Sequence, residues 1–161
     1  MEVAQAPPLP RSHPAMLVAT LCGVGFSPKA PGTFGALVAL PFAWLIVRAG
    51  GVPWLIAAAA LLFAVGWWAA SVVGRALGKD PRAVVVDEAA GQWLTLAAVP
   101  LDPWSYAAAF VLFRLFDIWK PWPVSWADRQ ITGGIGTMID DIFAAIYAII
   151  VLLIGRWLLG R

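Results

Sequence analysis

Long apolar stretches, broken by short turns rich in proline and glycine, dominate this chain. The first runs over Thr33–Ala49, entered through "SPKAPG" and stopped by "GGVP". The second, Pro53–Val73, closes at "GRALGKDP". A third covers roughly Pro81–Val99, with Asp80 as its N-cap and Pro81 at the first helical position, where proline is favoured. The fourth, Trp104–Trp119, ends before Pro121 and Pro123, which forbid a helix from continuing. The fifth, Thr137–Leu159, is the longest. A helix needs about 20 apolar residues to cross a bilayer, so the third and fourth segments are marginal spans. Ahead of them, "AMLVATLCGVG" is too short to cross and predicts a half-buried or interfacial helix. The pattern predicts an all-α, polytopic membrane protein with about four to five membrane-embedded helices plus a short N-terminal helix.

Composition agrees with that class. The chain is 61% apolar and 12% charged, with a mean hydropathy of +0.83, well outside the soluble globular norm. Several of the ten Trp residues flank the apolar runs, as interfacial anchors do. Lys and Arg exceed Asp and Glu by only 11 against 9 with no basic cluster, which argues against a nucleic-acid partner. A single Cys, Cys22, rules out an internal disulfide framework and a multi-cysteine metal site. The lone His13 lies in the proline-rich head "MEVAQAPPLPRSHP" and is a poor catalytic group. Residues 1–14 read as a flexible tail and 15–161 as a single helical, membrane-embedded catalytic domain. The segment after the head lacks an A-x-A cleavage site and is followed by further apolar runs, so no processing is expected.

The charges are unevenly placed. If the segments thread alternately, one side carries Lys29, Arg75, Lys79, Arg82, Arg114, Lys120 and Arg129, and the other Arg48, Arg156 and Arg161. The positive-inside rule puts the richer side in the cytoplasm. The same threading brings Asp87, Glu88, Asp117, Asp128, Asp140 and Asp141 to that side, leaving Asp102 opposite. Acids added for solubility would scatter over both faces.

Carboxylates delivered by three helix ends, with no His or Cys among them, suit a hard cation, above all Mg²⁺ completed by a substrate phosphate. Competing readings exist for single residues. Thr137-x-x-Asp140 fits a helix-capping pattern, and Arg114 and Lys120 each lie three residues from Asp117, as structural ion pairs do. Asp87 and Glu88 have no cation within four residues on their own helix. Lys29, before Gly32 and Thr33 at a helix start, makes an anion site of a common kind. Gly133, Gly134 and Gly136 fit tight packing as well as ligand contact. Acids and cations together at a membrane face suggest metal-assisted phosphoryl chemistry on an anionic lipid. Histidine-based phosphatase chemistry is excluded for want of a second His, and neither a DxDxT motif nor a Walker loop is present. The rival class is a small ion or metal transporter, whose acids would line a pathway near mid-bilayer.

Four motifs, "GFSPKAPGTFGAL", "VVDEAAGQW", "FRLFDIWKPWPVSWADR" and "GGIGTMIDDIFAA", together resemble the phosphatidylglycerophosphatase A family in order and spacing, over about residues 23–147. The resemblance implies a Mg²⁺-dependent enzyme of the bacterial inner membrane, with its active site facing the cytoplasm. It would remove the terminal phosphate of phosphatidylglycerophosphate to give phosphatidylglycerol and inorganic phosphate. The family's acidic positions fall on Asp87, Glu88, Asp117, Asp140 and Asp141, and its basic ones on Lys29, Arg114, Lys120 and Arg129. The resemblance does not settle which carboxylate binds metal and which attacks; Glu88, Asp117 and Asp141 are the first choices as Mg²⁺ ligands, with Asp87 and Asp140 as ligand, general base or support. Lys29 and Arg114 are expected to hold the phosphate, with Thr33, Lys120 and Arg129 contacting the substrate or lipid headgroup.

Overall fold

A computed structural model describes residues 9–78 and 81–160. Among these all regular structure is helical: α1 (Pro14–Ala19), a 3₁₀ turn (Val24–Phe26), α2 (Pro31–Gly50), α3 (Val52–Leu77), α4 (Val86–Leu96), α5 (Pro103–Trp119), α6 (Val124–Gln130) and α7 (Gly133–Leu158). The all-α membrane-bundle reading holds, including the short N-terminal helix. Of the tail expected over residues 1–14, residues 1–8 lie outside the described residues; Leu9 packs against the core and His13 caps α1.

Three helices, α2, α3 and α7, are long and apolar enough to cross a membrane. At 1.5 Å per residue they reach about 30–39 Å, against a hydrocarbon core of roughly 30 Å. The third expected span is shorter than its hydrophobic run. Pro81–Val85 forms a turn, with Val84 N–H on the Pro81 carbonyl and Val85 N–H on the Ala19 carbonyl. That contact to α1 withholds Val85 from the helix, so α4 begins at Val86 and has 11 residues. The expected N-cap Asp80 and the face cation Lys79 lie outside the described residues, as does Arg161.

The fifth segment departs the other way. Helix α7 starts at Gly133, four residues before Thr137, with Gly133 itself at a φ of +77° that only glycine adopts freely. Thr137 Oγ donates back to the Gly133 carbonyl instead of capping. Asp140 and Asp141 therefore stand about two turns inside the helix, and the capping reading of Asp140 does not apply. The stretch 120–136, expected to be loop, contains α6.

Helices α2, α3, α4, α5 and α7 alternate in direction. The start of α2, the end of α3, the start of α4, the end of α5 and the first third of α7 meet at one end of the bundle. Small residues allow the close approach that membrane helices need. Ala36, Ala39 and Ala43 of α2, Ala89 and Ala90 of α4, and Ala144, Ala145 and Ala148 of α7 are all buried. Gly91 lies against the Phe113 ring and the Asp141 carbonyl, and Gly134 against Ser71, so neither has room for a Cβ. Large apolar side chains such as Phe42, Leu45, Leu61, Trp104 and Trp157 project outward, where lipid would cover them.

Candidate active site

Where the helix ends converge, a cavity of about 220 Å³ is lined by Asp87 and Glu88 of α4, Asp117 of α5, and Asp140 and Asp141 of α7. Lys120, Gly32 and Arg82 also line it. Asp87 and Glu88 occupy the first turn of α4, not two turns inside as a start at Pro81 would have put them. There the amide dipole favours negative charge. Asp140 and Asp141 lie beyond the reach of the α7 dipole and must be stabilised otherwise.

The carboxylates fall into two groups. Asp87, Glu88 and Asp141 each offer an oxygen within 4.8 Å of the other two. Among the described residues, Asp87 Oδ1, Glu88 Oε2 and Asp141 Oδ2 are buried without a hydrogen-bond partner. A buried carboxylate oxygen left in that state is costly unless a proton or a cation joins it. Burial, with the adjoining Glu88 carboxylate second, holds Asp87 well above the usual carboxylate range. Burial raises Glu88 too, against the opposing pull of its hydrogen bond to Asp87 and of Arg114. The donor set is oxygen only, from two helices, and fits a hard cation.

Asp117 and Asp140 are already paired. The Arg114 guanidinium bonds Asp117 one turn on and lies 3.8 Å from Glu88. Lys120, at the end of α5 with a φ of +48°, turns away from Asp117 and donates to Asp128 of α6 and Asp140 of α7, each at 2.7 Å. Burial opposes the Lys120 charge, but the hydrogen bonds to Asp128 and Asp140 outweigh it and raise its pKa. Asp140 Oδ1 also accepts the Asp141 backbone N–H at 3.2 Å.

Of the residues expected at the site, Asp87, Glu88, Asp117, Lys120, Asp140 and Asp141 line the cavity, and Arg114 stands behind Glu88 and Asp117. Lys29, Thr33 and Arg129 do not line it. Lys29 is exposed in the turn before α2, where its carbonyl accepts from Ser27 Oγ. Thr33 is half-buried, next to the cavity-lining Gly32. Arg129 is exposed on α6 and donates to the Ser125 carbonyl. Arg82 and Gly32 were not expected. From the sequence Arg82 reads only as a face charge. Gly32 matters because a Cβ there would sit 1.9 Å from Glu88 Oε1, so its absence makes the space that the Glu88 carboxylate fills.

Fold and site together define a helical membrane protein with a cation-ready carboxylate pocket at one end. Comparison with known proteins narrows the class. The profile of the phosphatidylglycerophosphatase A family matches residues 17–156. The phosphatidylglycerophosphatase A of Escherichia coli K12 is 40% identical over 158 residues, covering 94% of this chain and 90% of that protein. That of Haemophilus influenzae Rd is 38% identical over 150 residues, covering 91% and 92%. A Bacteroides thetaiotaomicron protein, provisionally named phosphatidylinositol-3-phosphatase, is 42% identical over 159 residues, covering 90% and 95%. No solved structure matches the chain. The chain belongs to the phosphatidylglycerophosphatase A family.

Proposed function

We propose that this phosphatase hydrolyses the terminal phosphate monoester of phosphatidylglycerophosphate, releasing phosphatidylglycerol and inorganic phosphate. The observation that carries the reading is the trio of unpartnered oxygens on Asp87, Glu88 and Asp141 in one cavity with Lys120, with Arg114 behind Glu88. These three carboxylates would hold Mg²⁺. When bound, the ion would neutralise phosphate charge and make a coordinated water more acidic. Asp117 holds the Arg114 guanidinium behind Glu88, where its positive charge favours phosphate entering the cavity. Lys120 lines the cavity, and its two carboxylate partners position the ammonium without needing substrate. Asp140 is placed to take the proton of the attacking water, and its ion pair with Lys120 keeps it in the ionised form that can accept one.

Lys29, Thr33 and Arg129, outside the cavity, fit contact with the anionic phospholipid surface instead of the reacting phosphate. The excess of Lys and Arg on the site side supports a cytoplasmic active site in a bacterial inner membrane. A transport pathway would need charge through the bundle. Beyond Glu88, α4 buries uncharged Gln92 and Thr95, and the far end is an apolar cluster of Leu55, Leu96, Val99 and Leu152.

The test is phosphate release by purified full-length protein in detergent, with Mg²⁺ and with chelator. Phosphatidylglycerophosphate, phosphatidic acid and a soluble phosphomonoester would be compared. Release from the first that stops with chelator is the expected result. No release, or release indifferent to chelation, refutes the reading.

A further inference from the structure

A second cavity, of about 380 Å³, opens beside the carboxylates between the end of α3 and the start of α7. Its wall includes Ser71, Gly74, Arg75, Thr132, Thr137 and Asp140. Asp140 belongs to both cavities. Lys120, on the carboxylate side, bonds both Asp140 and Asp128, and Asp128 lines the second cavity. One three-membered ion bridge thus stands where the two spaces adjoin.

Two glycines keep the second space open. A Cβ at Gly74 or at Gly133 would meet no atom within 4 Å, whereas one at Gly134 would strike Ser71. Helices α3 and α7 are therefore clamped together at Gly134 and leave a hollow beyond it. The polar lining is three hydroxyls, a guanidinium and two carboxylates, both of the carboxylates paired with Lys120. The guanidinium and the hydroxyls suit a hydroxylated group carrying a phosphodiester. The proposed substrate has such a part: a glycerol and a phosphodiester separate the terminal phosphate from the lipid.

We infer that the second cavity receives the glycerol and phosphodiester of the headgroup while the terminal phosphate enters the carboxylate cavity, so the second cavity selects which lipid phosphomonoesters are substrates. This rests on the proposed phosphatase reading. Relatives of similar identity whose names specify glycerol and inositol headgroups call for such a selecting surface apart from the carboxylates.

Gly74→Leu fills the hollow. It adds a side chain where no atom is met, and leucine is a better helix former than glycine, so the fold should tolerate it. In the full-length enzyme the KM for phosphatidylglycerophosphate should rise about tenfold or more. The inhibition constant of inorganic phosphate, which needs only the carboxylate cavity, should stay at the wild-type value. Gly74→Ala should lie between, and Arg75→Gln, at an exposed position, should raise KM without adding bulk. An unchanged KM in Gly74→Leu and Arg75→Gln overturns the inference, and so does a phosphate inhibition constant that rises in step with KM. A wild-type enzyme inactive on phosphatidylglycerophosphate removes the phosphatase reading itself, and the inference with it.

Discussion

The two ends of the bundle treat charge in opposite ways. At the far end, Asp102 accepts the backbone N–H groups of Trp104 and Ser105 at 3.0 and 2.9 Å and so caps α5. Arg156 at that end donates to the Ala98 carbonyl at 3.1 Å. Asp102 and Arg156 thus close otherwise open backbone groups near helix termini, which is folding work. At the site end, Asp87, Glu88 and Asp141 leave oxygens open inside the protein and raise one another's electrostatic cost. No account based on folding alone explains that expense. The contrast separates acids kept for structure from acids kept for binding, in a chain where hydropathy makes every charge conspicuous.

The largest expected effect breaks the site end. Asp141→Asn keeps the shape of the side chain and removes its charge. Phosphate release at saturating Mg²⁺ should fall by about 10³-fold. Melting of the detergent-solubilised variant in chelator should rise above wild type, because one of three crowded buried charges is gone. Activity near wild type would remove Asp141 from the site.

Mg²⁺ itself should sharpen the difference. Wild-type melting should shift upward with added Mg²⁺, by the equivalent of about 2.7 kcal/mol at a hundredfold excess over Kd, and Asp141→Asn should not respond. The pH dependence has a definite sign. Raised pKa values for Asp87 and Glu88 stabilise the metal-free fold below the ordinary carboxylate range, and that stability is lost as pH rises through the raised values. The cation binds the deprotonated groups, so the Mg²⁺-induced shift should grow with pH. A shift that shrinks as pH rises would contradict the assignment.

Gly32→Ala should come next. The added Cβ displaces the Glu88 carboxylate from its place beside Arg114. Activity should drop about tenfold to a hundredfold, as when the support of a metal ligand is lost, with little change in melting in chelator. Equal losses in both measurements would make Gly32 a packing residue only.

Much of the site end could be read before any coordinates. A carboxylate in an apolar run is expensive, so Asp87, Glu88, Asp117, Asp140 and Asp141 stood out, and alternate threading placed them together. Their grouping could not be read, because helix phase depends on the first residue. The bond from Val85 to the Ala19 carbonyl, a contact across the fold, moved the start of α4 by five residues relative to Pro81. The turn at Gly133 moved α7 the other way and carried Asp140 and Asp141 inward. Helix α6 was hidden by the prolines before it and its own short length, and with it went the Asp128 partner of Lys120. Gly32 left no sequence signal beyond its position at a helix start.

The smallest effect tests the far end. Asp102→Ala removes the acceptor for two N–H groups at the start of α5 and also the partner of the Ser105 hydroxyl, 2.6 Å away. Loss of such a cap costs about 1 kcal/mol, which for a chain of this size lowers the melting temperature by about 2–4 °C. Helix α5 delivers Arg114, Asp117 and Lys120 at its other end, so fraying at Asp102 is separated from them by the length of the helix. Phosphate release and its Mg²⁺ dependence should stay at wild-type values. Serine at the same position caps nearly as well and should restore the melting temperature. A loss of activity in Asp102→Ala at temperatures where the fold is intact would mean that the far end also serves the chemistry, and the division between the two ends would fail.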